Sequence, residues 1–166
     1  MKKLFYLLLL PAFSFAQVNN IPVFKGVTNQ ISIVKKSAAT PTCKMKDGSE
    51  IKLENDENGI KVIMNKNGAT WDFLEQNTDA LYAQVGEFDF EKDGKMEIFV
   101  AYRMSKTLYD VYIFKKPEFE TKYTQWTMFA GSNYCEFPGD GTVKSYAADL
   151  TVTIIKFNDD GKQITD

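Results

Sequence analysis

The chain has 166 residues, 44% hydrophobic and 14% aromatic, with 22 acidic against 20 basic side chains and no histidine. A net charge of −2 argues against nucleic acid, which demands a basic stripe, and against a strong pull toward anionic lipid. Without histidine there is no Ser-His or Cys-His nucleophile system, no histidine general base and no histidine-based zinc site.

In chain order, Lys2 and Lys3 precede the apolar residues 4–10, and Ser14-Phe15-Ala16 places small residues before Gln17. This pattern predicts a signal peptide over 1–16, cleaved after Ala16, and export to the periplasm or beyond. The apolar run falls well short of the roughly twenty residues a spanning helix needs, so no membrane insertion is expected. Cleavage removes two lysines and no acid, which makes the remaining chain more acidic. Residues 17–42, with Pro22, Pro41 and a run of small residues at 37–42, read as an N-terminal arm or linker before one domain over 43–166.

Cys43 and Cys135 are the two cysteines, and an even pair in an exported domain predicts a disulfide. Closing a loop of roughly ninety residues would contribute about 4.6 kcal/mol on a chain-entropy basis.

Turn signals recur at Asp47-Gly48, Asn58-Gly59, Asn67-Gly68, Asp93-Gly94, Asp140-Gly141 and Asp160-Gly161, with short β-rich runs between them. Residues 50–54 and 60–64 flank Asn58-Gly59 as a hairpin, and 69–74 supplies a third strand. Strands are also predicted at 81–90, 97–103, 109–115 and 150–157. The segment 71–85 has helix-compatible apolar spacing as well, but strand is favoured. Residues 98–102 are apolar on both faces and predict a central strand covered on both sides. The whole reads as an all-β domain, a single antiparallel sandwich or barrel-like fold.

The stretch Asp89-Phe90-Glu91-Lys92-Asp93-Gly94-Lys95-Met96-Glu97 sets four carboxylates around one glycine. Hard cations take six to eight oxygen ligands, and loops that hold calcium place acids at positions 1, 3, 5 and 9 with a backbone carbonyl at position 7. On this mapping Asp89, Glu91, Asp93 and Glu97 are side-chain ligands and Lys95 offers its carbonyl. The plain alternative is an Asp93-Gly94 turn ringed by solvated acids.

These nine residues, with the 98–102 run behind them, resemble the D-x-[DN]-x-D-G-x-x-D loop of FG-GAP and VCBS-type repeats. They also resemble the single loop of secreted bacterial inhibitor or immunity proteins that block cell-wall hydrolases. Glu91 and Glu97 stand where Asp or Asn is usual, and one loop does not make a repeat-built propeller. The resemblance implies a structural calcium ion and a protein partner, a cell-envelope hydrolase or toxin.

The aromatic and glycine-rich segment 126–141 offers Trp126, Tyr134, Glu136 and Phe137 as partner-binding residues, on a loop tethered by the expected disulfide. Core packing is the competing expectation for Trp126 and Phe137. The tyrosines Tyr102, Tyr109, Tyr112 and Tyr123 fit an exposed aromatic face and a half-buried strand equally well. No catalytic residue stands out, so the chain is expected to be a binding protein rather than an enzyme. Its expected role is an inhibitor of the immunity type, with a calcium-stabilised glycan or matrix module as the alternative.

Overall fold

The computed structural model describes residues 22–164, so the leader expected over 1–16 lies outside the described residues. Those residues form fourteen strands and no helix. A middle sheet runs β10 (Thr124–Gly131), β9 (Tyr109–Lys115), β8 (Glu97–Arg103), β7 (Tyr82–Phe88), β2 (Thr28–Val34), with every neighbouring pair antiparallel. One of its faces is covered by β3 (Thr42–Lys44), β4 (Glu50–Asp56), β5 (Gly59–Lys66) and β6 (Ala69–Asn77). The other face is covered by β1 (Phe24–Lys25), β11 (Tyr134–Glu136), β12 (Thr142–Tyr146), β13 (Val152–Phe157) and β14 (Gln163–Ile164).

The fold is all-β, as the turn spacing predicts. It is built as three stacked sheets rather than two, and none closes into a barrel among the described residues.

Strand β8 shows why the middle sheet lies inside. Side chains alternate across a strand, and every residue of β8 is buried. Phe99 and Ala101 enter one core with Phe24, Cys135 and Val143, while Ile98, Val100 and Tyr102 enter the other with Ile51, Leu53 and Val62. Phe99 meets Phe24 and Phe90 edge-on and lies 4.3 Å from the Phe137 ring. Truncating such a ring to alanine costs about 3–5 kcal/mol.

The Asn58-Gly59 hairpin forms as predicted between β4 and β5. Gly59 has φ +115°, and a Cβ there would lie 2.2 Å from the Asn77 carbonyl oxygen, so only glycine lets β6 pass this close.

From residue 22 onward, the arm expected before residue 43 is part of the fold. Residues 22–42 contribute β1 and β2, and Val23, Phe24, Val27 and Ile33 are buried. Strand β1 has only two residues, so polar side chains hold it in place. The buried Gln84 amide accepts the N–H groups of Val23 (2.8 Å) and Phe24 (3.2 Å) and donates to the Phe24 carbonyl. Arg103, fully buried, donates to the carbonyls of Pro22 (3.2 Å) and Asn133 (2.6 Å). A buried guanidinium needs such acceptors, because an unsatisfied one carries a heavy desolvation cost.

The expected disulfide is not present: Cys43 and Cys135 are both free thiols. Cys43 packs against the core on one side of the middle sheet, and Cys135 is buried in the core on the other. A disulfide holds its Cα atoms within about 7 Å, and here a whole sheet stands between the two residues. The segment 126–141 is likewise no tethered loop. It leaves the middle sheet as β10, turns, and enters the outer sheet as β11.

Candidate functional site

The acidic loop connects β7 to β8 and winds tightly. The Asp89 carboxylate accepts the N–H groups of Asp93 and Gly94, each at 3.0 Å, and Asp93 Oδ1 accepts that of Lys95 at 2.9 Å. Lys92 (φ 56°) and Gly94 (φ 85°) take the left-handed conformation, which this reversal requires of both. The Phe90 ring is fully buried and anchors the loop, and its carbonyl accepts the Gly141 N–H at 2.8 Å. Glu97 closes the turn by accepting the Phe90 N–H at 2.9 Å. Glu97 as a residue is 3% exposed. Burial drives its pKa up to about 7, and the Phe90 N–H and the Lys115 charge only partly offset this.

The loop forms one wall of a cleft of about 800 Å³. The opposite wall comes from the ends of β9 and β10, with Lys115, Tyr123 and Trp126, and from Lys46 and Asp47 in the turn between β3 and β4. Lys115 ties the walls together. Its Nζ lies 2.7 Å from Glu91 Oε1 and 3.7 Å from the centre of the Trp126 ring, an ion pair and a cation–π contact in one side chain. The Trp126 indole N–H donates to the Asp159 carbonyl at 2.9 Å, so the ring is held at both ends.

Asp47 is the other ionic anchor. Burial pushes its carboxyl up, but Lys66 Nζ at 2.5 Å and the hydroxyl and N–H of Ser49 outweigh burial and hold it at about 2. Tyr123 is shifted far above its ordinary range by burial, reinforced by the charges of Asp47, Glu87 and Glu97. The connection from β9 to β10 projects beside the cleft as a turn closed by the Glu120 N–H to the Pro117 carbonyl. At its tip Phe119 is 96% exposed.

The residues singled out in the sequence therefore separate into three places. Glu91, Asp93, Lys95, Glu97 and Trp126 line the cleft, with Asp89 bracing the loop behind it. Tyr134 and Glu136 lie on β11, where Glu136 accepts the Tyr146 hydroxyl at 3.0 Å. Phe137 is 7% exposed and packs among Phe24, Phe88, Phe90 and Phe99, so its ring belongs to the core rather than to a partner surface. Tyr102 and Tyr109 are buried, which dissolves the idea of an exposed tyrosine face.

The acidic side chains do not converge. Glu91 turns to Lys115, Asp89 and Asp93 cap backbone N–H groups, and no group of three His, Cys, Asp or Glu gathers as metal ligands would among the described residues. Chemically the cleft offers charge, hydrogen-bond donors and one large aromatic surface, which is the equipment for binding.

Lys46, Asp47 and Lys115 escaped the sequence reading as site residues, and Tyr123 entered it only within the tyrosine series, not as part of this cleft. Asp47 belongs to a dipeptide that signals only a turn, and Lys115 and Tyr123 sit at the ends of strands whose pairing the sequence does not disclose. Comparison of this chain with known protein families, with characterised proteins and with solved structures finds no match.

Proposed function

We propose that this chain is an exported, calcium-binding β-protein that binds a cell-envelope hydrolase and blocks it, in the manner of an immunity protein. The contact surface is the rim of the cleft, formed by the acidic loop, Trp126 and the Phe119 turn. The observation that carries this reading is Phe119, which stands almost fully exposed between Glu118 and Glu120 next to the cleft. Burying a phenylalanine is worth about 1.5–3 kcal/mol, and a protruding aromatic on a short turn suits insertion into a partner's pocket. The hydrolase class rests on the likeness of the loop to single-loop inhibitor and immunity proteins. Periplasmic or secreted placement rests on the pattern of residues 1–16.

Calcium enters through the same loop. Asp89, Glu91, Asp93, Glu97 and the Lys95 carbonyl are the proposed ligands, with Glu91 released from Lys115. The support is Glu97, a buried carboxylate whose raised pKa reports too little compensating positive charge. A bound cation would supply that charge and stiffen the rim.

The direct test uses the chain as bait in a bacterial envelope extract with calcium present. A single hydrolase should be recovered, and its activity should fall when the protein is added back. Recovery of no hydrolase from the cognate strain would remove this reading.

A glycan or matrix module is the second reading, and one observation favours it. A groove of about 520 Å³ between β6 and the ends of β9 and β10 is lined by Phe73, Tyr112 and Tyr123 together with Gln76, Asn77 and Gln125. Aromatic faces beside amides suit a sugar. Retention on immobilised peptidoglycan, without loss of any hydrolase activity, would favour this reading.

A further inference from the structure

The sheet of β3 to β6 has four strands and the middle sheet beneath it has five. Part of β9 and β10 is therefore left open beside the β6 edge, where Met128, opposite Tyr112 in the register, is 44% exposed. This open strip floors the groove of about 520 Å³ that runs along β6. Three half-buried rings line it, those of Phe73, Tyr112 and Tyr123, with Tyr102 and Phe114 buried behind them. The planes of Phe73 and Tyr123 meet at 76° and those of Tyr102 and Tyr112 at 75°, so the aromatic surface turns corners rather than lying flat.

Two acids stand against these rings. The Tyr102 hydroxyl donates to the Glu75 carbonyl at 3.5 Å, which sets β6 against β8 at this point. Asp110 pairs with Tyr102 across the sheet and shares the Tyr112 face by strand alternation. Burial, and then the charges of Asp110 and Glu75, hold the Tyr112 hydroxyl above its ordinary range. Neither carboxylate is in an ion pair or accepts a hydrogen bond among the described residues.

The cations of the bordering strands and turns are directed elsewhere. Lys61 holds Asp72, Lys115 holds Glu91, and Lys116 lies 3.8 Å from Asp47. Lys35 donates to the Thr78 carbonyl, and Lys122 stands 5.9 Å from the Trp71 ring centre. Arg103 gives its donors to the carbonyls of Pro22, Lys106 and Asn133. Lys106 remains, in the turn from β8 to β9, against Asp79, Glu118 and Glu120 in the neighbouring turns. No lysine or arginine lines the groove, and Glu75 is its one charged lining residue.

We propose that this groove binds an alkylammonium group, held by the rings of Phe73, Tyr112 and Tyr123 and by the charges of Glu75 and Asp110. The negative face of an aromatic ring attracts a cation, most strongly where water is scarce, and carboxylates at its margin add to that pull. A neutral sugar, the ligand of the second reading, would leave both acids without a counter-charge. The group is carried by a small quaternary ammonium compound or by a lysine side chain of a partner. None of Phe73, Glu75, Asp110 or Tyr112 lines the cleft, so the proposal stands apart from the inhibitor reading.

The test is a chemical-shift titration of the isotope-labelled full chain with four probes. These are choline, its uncharged analogue with a tert-butyl group in place of the trimethylammonium, Nα-acetyl-lysine amide and N-acetylglucosamine. A cationic probe should shift signals of β6 and β9, with at least about a tenfold preference for choline over its uncharged analogue. Salt should weaken that preference. Glu75→Gln, at an exposed position, should lower the cation's affinity about threefold and leave the uncharged analogue unaffected. Tyr112→Leu should lower it about fivefold, with circular dichroism to check that the fold is kept. Tighter binding of choline than of the lysine amide assigns the group to a small quaternary ligand, and the reverse assigns it to a partner's lysine. Equal affinity for choline and its uncharged analogue, or full affinity in both variants, would overturn the proposal. Shifts with N-acetylglucosamine and with neither cation would overturn it in favour of a sugar.

Discussion

Glu97 and Phe90 close the acidic loop upon itself: the Glu97 carboxylate accepts the Phe90 N–H at 2.9 Å, and the Phe90 ring is wholly buried beneath it. One residue supplies the anchor and the other a charge with almost no water. The loop is thereby built around a carboxylate that its surroundings do not neutralise.

That burial has a pH signature. The Glu97 pKa is raised from 4.5 to about 7. Below about pH 4.5 the folded and unfolded chains both hold the proton, and the stability it allows is fully present. Between there and about pH 7 the unfolded chain sheds the proton while the folded chain keeps it, so stability falls as pH rises. The loss is at most about 3 kcal/mol. Without calcium, the parent should melt higher near pH 5 than near pH 8, and Glu97→Gln should flatten that difference. An unchanged slope in the variant would mean that Glu97 does not titrate in this range.

Calcium should act on the same group. At about 1 mM calcium, a site with a Kd of about 0.1 mM adds about 1.4 kcal/mol of stability. Asp93→Asn should abolish the calcium-dependent rise in Tm. A rise that persists in the variant would place the ion elsewhere.

Glycine positions test how the cleft is held. Gly161 has φ +75°, and a Cβ there would lie 2.2 Å from the Trp126 carbonyl oxygen. Gly94 has φ +85° but faces open space. Gly161→Ala should therefore cost about 3 kcal/mol, the conformational penalty plus a clash, and should shift tryptophan emission. Gly94→Ala should cost only about 1 kcal/mol. Urea denaturation of both variants measures the difference.

The thiols give a chemical check. Burial pushes Cys135 up to about 12, and it also raises Cys43, which remains half-exposed. Iodoacetamide should label Cys43 slowly in the native protein and reach Cys135 only in denaturant. Reducing agent should leave Tm unchanged. A Tm that drops by several degrees on reduction would show that a bridge forms after all.

How far the sequence discloses this structure depends on the range of the interaction. Residues 98–102 announce a doubly covered strand because both of their faces are apolar, and Asn58-Gly59 announces its hairpin because the turn is local. Strand β1 announces nothing, since two residues carry no period and its hold comes from Gln84 and Arg103, far along the chain. The cysteine pairing misled because parity and compartment do not say on which side of a sheet a thiol lies. In the cleft, the acidic loop was legible from its spacing, whereas Lys115, Asp47 and Tyr123 reach it only through the stacking of sheets.

The most direct measurement is the hydrolysis of a cell-wall suspension by the recovered envelope hydrolase, titrated with the parent chain, Trp126→Ala and Phe119→Ser, at about 1 mM calcium. The parent should stop hydrolysis at one equivalent, and both variants should need at least tenfold more. Phe119→Ser should keep the parent's Tm, whereas Trp126→Ala also loses the packing of its ring on Phe90 and Phe157 and should melt lower. Hydrolysis that proceeds undiminished with excess parent, or inhibition that neither substitution weakens, would contradict the assignment of this cleft as an inhibitor's binding rim.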